Sequence, residues 1–148
     1  MTVDIILVAV GQSDDPHATI AEAAIEVAAP LDATVELLHV YSRSEFETAR
    51  DELDFDGTPP APDEVAKHHR HARNVSATLA EVDVETNTRG VVGDYAEKIV
   101  SMAVDLDADR IVLGGSGRTP AGKAVFGSTS QSVLLNSPCP VTYVGQDS

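Results

Sequence analysis

The sequence predicts an α/β fold, an open five-stranded parallel sheet in the order 3-2-1-4-5 with helices on both faces. Three observations predict it. The segments 4–10 and 110–114 are continuous β-branched and apolar runs, as in strands buried on both faces of a parallel sheet. Stretches with apolar residues every three or four positions separate successive strand-like runs. The distance from the first run to the second, at 34–40, is long enough for a βαβ crossover. A chain of 148 residues, 43% of them apolar, suits one such unit, so residues 1–148 are expected to form a single domain.

After the first strand, Asp15 can cap a helix, Pro16 suits its first position, and Ile20, Ala24, Val27 and Leu31 form an apolar stripe, with Pro30 marking the end. The second strand is Thr34–Val40. From Tyr41 to Pro62 charges alternate without apolar period and Gly57, Pro59, Pro60 and Pro62 oppose regular structure, which predicts a long flexible loop. A helix is expected from Asp63 to Glu81, with Val65, Ala72, Val75 and Leu79 inside and His68, His69, Arg70 and His71 mostly outside. Val84, Thr86 and Thr88 alternate with polar residues as in an edge strand, and Gly90–Gly93 should turn the chain. Asp94 and Glu97 have capping-box spacing ahead of Ile99, Val100, Ala103 and Leu106. Arg110–Gly114, Ser128–Asn136 and Val141–Val144 complete the pattern as strand, helix and strand. The expected total is five strands alternating with four helices.

Charge narrows the function. With 24 Asp and Glu against 10 Lys and Arg, the formal charge is -14, a field that repels nucleic-acid backbones and anionic membranes. No apolar stretch reaches the roughly 20 residues of a membrane span, and the first residues lack the basic flank of a signal peptide. A cytoplasmic location is expected. Only three of the basic residues are Lys (Lys67, Lys98 and Lys123), and this acidic, Lys-poor texture points to a salt-adapted, halophilic source, the alternative being an ordinary acidic protein. The single Cys139 cannot form an internal disulfide and has no nearby base. His68 and His71 lie one helical turn apart, but two ligands fall short of a metal site, and no metal is expected.

Parallel sheets of this order bind ligands beyond the carboxyl ends of the strands, where strand order reverses between the first and fourth. Five glycines fall within the 14 residues 114–127 there, followed by Ser128, Thr129 and Ser130 at a helix start. Glycine lets backbone amides approach an anion, and a helix start offers unpaired N–H groups, so a phosphate fits. Arg118 and Lys123 bring positive charge. Gly117 to Lys123 spells G-x-x-x-x-G-K, but Ala124 stands where a Mg2+-ligating Ser or Thr belongs, and Pro120 breaks the dinucleotide fingerprint G-x-G-x-x-G. The structural alternative is a loop whose helix amides are taken by a Ser128 and Gln131 capping box.

Gly114-x-x-Gly117, nine further residues and then Gly127-Ser128 resembles the nucleotide-binding signature of the universal stress protein family. The likeness extends to Ile6–Val10, to Leu38-His39-Val40, to Gly93 through Ile99 and to Ser137–Val141. It implies an adenine nucleotide alpha hydrolase-like fold, homodimers through the C-terminal strand, and binding of ATP or AMP, with or without Mg2+, in stress survival. Residue by residue, it implies a nucleotide site built from Val10, Gly11, Gln12, Ser13, Val40, Gly114, Gly115, Gly117, Arg118, Gly127, Ser128, Thr129 and Ser130. In that site the glycines wrap phosphates and the Val40 backbone meets adenine. The family's first strand usually ends in an Asp that contacts the nucleoside, whereas this chain has Gly11-Gln12-Ser13; Asp14, Asp15 and Gln12 are the alternatives that spacing leaves open.

No attacking water or positioned base is indicated beside the phosphates, so the expectation is a regulatory module and not an enzyme. The alternative function is a dimeric stress-response scaffold that binds unknown protein partners and no nucleotide. A weaker third reading makes Ser128–Ser130 phosphoacceptors.

Overall fold

A computed structural model of the chain describes residues 3–10, 17–53, 57–114 and 128–144. Five strands, β1 (Ile5–Val10), β2 (Thr34–Tyr41), β3 (Thr86–Val92), β4 (Arg110–Gly114) and β5 (Val141–Val144), form one parallel sheet in the order β3-β2-β1-β4-β5. The helices are α1 (His17–Leu31), α2 (Arg43–Asp51), α3 (Pro62–Lys67), α4 (Arg70–Ala80), α5 (Tyr95–Leu106) and α6 (Ser128–Asn136). Among the described residues no helix is long and apolar enough to cross a membrane.

Strand side chains alternate between faces, so each buried strand feeds two cores. Ile6, Val8, Val10, Val35 and Leu37 pack beneath α1 and α4, against Ile20, Ala21, Ala24, Ala28, Val75 and Leu79. Leu7, Ala9, Leu38, Val40, Ile111 and Leu113 face the other way, beneath Ala96, Ile99 and Ala103 of α5 and Val133 of α6. Double-sided burial is why β1 reads as an unbroken apolar run. Glu36 is the exception in β2, buried yet paired with Arg89 Nε at 3.0 Å and Asn87 Nδ2 at 3.2 Å, which ties β2 to β3.

Several sequence expectations need correction. Helix α1 continues through Pro30 to Leu31, and Leu31 is exposed. Its buried stripe ends at Ala28, and Asp32, at φ 54°, turns the chain toward β2. Asp15 and Pro16 lie outside the described residues.

The expected loop over 41–62 contains the last residue of β2 and all of α2. A capping box starts that helix: Glu45 N–H donates to Ser42 Oγ at 3.2 Å, and Ser42 N–H to Glu45 Oε1 at 2.8 Å. Phe46, Ala49 and Leu53 then pack against Tyr41, Val65 and Ala66.

The single helix expected over 63–81 is two, α3 and α4. His69 separates them, its Nδ1 accepting the His71 N–H at 3.2 Å as the α4 cap. His71 is buried and not on a solvated face. Strand β3 runs through Gly90 to Val92, where a turn was expected, because Gly90 leaves room for the Pro62 carbonyl that a Cβ would strike. The helices among the described residues therefore number six instead of four. Helix α5 follows its expected cap, with Glu97 N–H donating to Asp94 Oδ2 at 3.0 Å, and ends at Asp107 in the left-handed region.

Candidate functional site

The sheet order places the reversal between β1 and β4. In register, Val10 pairs with His39 and Ala9 with Leu113, so β1 and β4 finish together, at Val10 and Gly114. Val40 lies one residue past the Val10 and His39 pair. Because α6 follows β4 and leads into β5, which is parallel to β4, its start returns to this same end of the sheet. The structure therefore brings together Val10, Val40, Gly114 and the first turn of α6.

Their side chains are largely committed to packing. Val10 belongs to the core under α1 and Val40 to the opposite core under α5, so neither side chain is offered to a ligand. Gly114 has a packing reason of its own, since an added Cβ would lie 2.8 Å from Ile20 Cδ1 on α1. In α6, Thr129 is exposed and Ser130 buried. Gly11, Gln12, Ser13, Gly115, Gly117, Arg118 and Gly127 lie outside the described residues, as does the side chain of Ser128. What the described part offers is backbone polarity and a helix start, a setting suited to phosphate.

Beside this end of the sheet lies a cluster that sequence reasoning missed. His39 and Tyr41 are each 1% exposed, their rings 4.2 Å apart, and the His39 and His69 rings lie 4.1 Å apart, tilted by 43°. The His69 and His71 rings are 5.0 Å apart. Among the described residues neither ring nitrogen of His39 has a hydrogen-bond partner, nor does the Tyr41 hydroxyl. Burial, followed by the neighbouring His69 and His71, pushes the His39 pKa down to about 3. Tyr41 is pushed up to about 12 by burial and by the Glu45 carboxylate. The available signal was strand parity, which puts residues 39 and 41 on the same face as Val35 and Leu37.

Other candidates behave as packing. Cys139 is half-buried, and burial raises its thiol pKa; Ser137 Oγ donates to its carbonyl at 2.6 Å. Among the described residues no group of three or more His, Cys, Asp or Glu is arranged to hold a metal ion.

Residues 2–145 match the model of the universal stress protein family. The chain belongs to that family. A universal stress protein of Methanocaldococcus jannaschii is 30% identical over 126 residues, covering 84% of this chain and 72% of that protein. Among solved structures, the universal stress protein of Archaeoglobus fulgidus in complex with dAMP superposes with a TM-score of 0.67 at 20% identity, over 97% of this chain and 99% of that one. A universal stress protein family member of Arabidopsis thaliana with AMP bound gives a TM-score of 0.65 at 16% identity, over 98% of this chain and 93% of that one. At those identities the likeness establishes the fold: a parallel five-stranded sheet flanked by helices.

Proposed function

We propose that this protein is an adenine nucleotide-binding regulatory module of the stress response, taking ATP or AMP, with or without Mg2+, at the carboxyl ends of β1 and β4. One observation carries the reading. The glycine signature of the sequence begins at Gly114, at the end of β4, and closes at Ser128, at the start of α6, and β4 borders the point where strand order reverses. The relatives solved with AMP and dAMP make an adenine nucleotide the natural ligand class. The module works by binding and not by turnover, in the cytoplasm of a salt-adapted cell, as a homodimer joined along the outer edge of β5.

The scaffold reading is favoured by one specific feature, Gly11-Gln12-Ser13 in place of the family's Asp. Thermal melts in concentrated KCl with added ATP or AMP separate the two. A ligand that binds only the folded state stabilises it by about 2.7 kcal/mol at a hundredfold excess over its Kd. A concentration-dependent rise in Tm supports nucleotide binding. A flat response up to millimolar nucleotide rejects it and leaves the scaffold.

A further inference from the structure

Strand β3 is one edge of the sheet, and its two halves are treated differently. The Glu85 carbonyl accepts from Val35 N–H at 2.9 Å, and Gly93 N–H donates to the Tyr41 carbonyl at 2.8 Å, so the odd-numbered residues aim their backbone groups at β2. Thr86, Thr88, Gly90 and Val92 therefore turn N–H and C=O outward. At Gly90 the edge is closed: its N–H donates to Asp63 Oδ1 at 2.9 Å, and the Pro62 backbone presses against it. At Thr86 and Thr88 no such cover is present among the described residues, and the outward backbone groups there carry no hydrogen bond.

This open half-edge borders a cavity of about 490 Å3 between β3 and α4. Ala72, Ala77 and Ala80 give it an apolar floor, and Ser76 adds a hydroxyl. Among the described residues its charged lining is Lys67 and Arg73, with no Asp or Glu, on a chain of net charge -14. Arg73 makes no ion pair among the described residues, and Lys67 reaches only the exposed Glu64, at 3.3 Å. A pair so exposed contributes little and exchanges readily with an incoming carboxylate. Of the two acids adjacent in sequence to lining residues, Glu85 is bonded to Thr34 Oγ1 at the start of β2, at 3.3 Å, and Glu81, after Ala80, is exposed and is not part of the lining.

We propose that this half-edge docks an extended acidic peptide segment of a partner protein. The segment adds a short strand beside Thr86–Thr88, its carboxylates meeting Lys67 and Arg73. Backbone pairing supplies the binding and the two cations select the sequence. The site is independent of the nucleotide reading, lying at the opposite lateral edge of the sheet from β5.

Fluorescence anisotropy with a fluorescein-labelled decapeptide alternating Glu and Val tests it on the intact protein at low salt. Saturable binding is expected, abolished when Lys replaces Glu in the peptide. Arg73→Glu, on the exposed face of α4, should weaken it by about tenfold or more. N-methylation of alternate peptide residues, which leaves the protein unaltered, should weaken it as much. No binding overturns the proposal, as does binding indifferent to Arg73→Glu. Binding that survives N-methylation and is competed by inorganic phosphate overturns it in favour of a simple anion pocket. A wild-type dimer in sedimentation velocity that Arg73→Glu dissociates overturns it by making a second copy the occupant.

Discussion

Acidification should unfold this protein partly through one buried imidazole. His39 is 1% exposed and held near pKa 3, against 6.5 for the free side chain. Below pH 6.5 the unfolded chain takes up a proton that the folded chain refuses until about pH 3, so unfolding is favoured as pH falls through that window. Each pH unit costs about 1.4 kcal/mol, which amounts to about 2 kcal/mol at pH 5 and at most about 5 kcal/mol near pH 3. Those losses are large beside a typical total stability of about 5–15 kcal/mol. The perturbation is His39→Leu, which is similar in volume and removes the titrating group without removing a hydrogen bond to protein. Urea unfolding at pH 8, 6.5 and 5 and constant ionic strength measures it. Both proteins share the carboxylate titrations, so the informative quantity is the difference between them. Wild-type stability should fall relative to His39→Leu by about 2 kcal/mol from pH 8 to pH 5. Parallel pH profiles would refute the reasoning, because they would mean that His39 is protonated as readily folded as unfolded.

Other perturbations test other parts of the account. Gly90→Ala forces a Cβ against the Pro62 carbonyl and should cost about 1–3 kcal/mol in urea unfolding, while loss of less than about 0.5 kcal/mol would show that α3 yields freely. Ser42→Ala breaks the capping box and should lower amide-exchange protection across α2 about fivefold, equivalent to about 1 kcal/mol, with little change in β1. Raising KCl from 0.1 M to 1 M shortens the screening length from about 10 Å to about 3 Å, so Tm should rise by several degrees as repulsion within the net charge of -14 is screened. A Tm that stays level or falls would remove the argument for salt adaptation.

The sheet was legible because its central strands are buried on both faces, and Ile6–Val10 and Ile111–Leu113 advertise that as unbroken apolar runs. Helix α2 was not legible from periodicity, since none of its residues is fully buried; the usable signal was Ser42 with Glu45 three residues on. The break between α3 and α4 was hidden because apolar spacing continues across it, and it depends on His69 acting both as a helix cap and as a ring packed against His39. Gly90 looked like a turn because the reason for it, the Pro62 backbone, lies 28 residues earlier. Of the site, topology alone gave the meeting of Val10, Val40, Gly114 and the start of α6. Gly114 carries two meanings that a sequence cannot separate, membership in a phosphate-binding motif and tight packing against Ile20.

The most direct test of the nucleotide reading is to purify the protein in high salt, denature it, and identify the released small molecules by liquid chromatography and mass spectrometry, with Gly127→Val treated identically. The account predicts ATP or AMP released from the parent and not from Gly127→Val. A parent that releases no adenine nucleotide and takes none up when it is added back would contradict it.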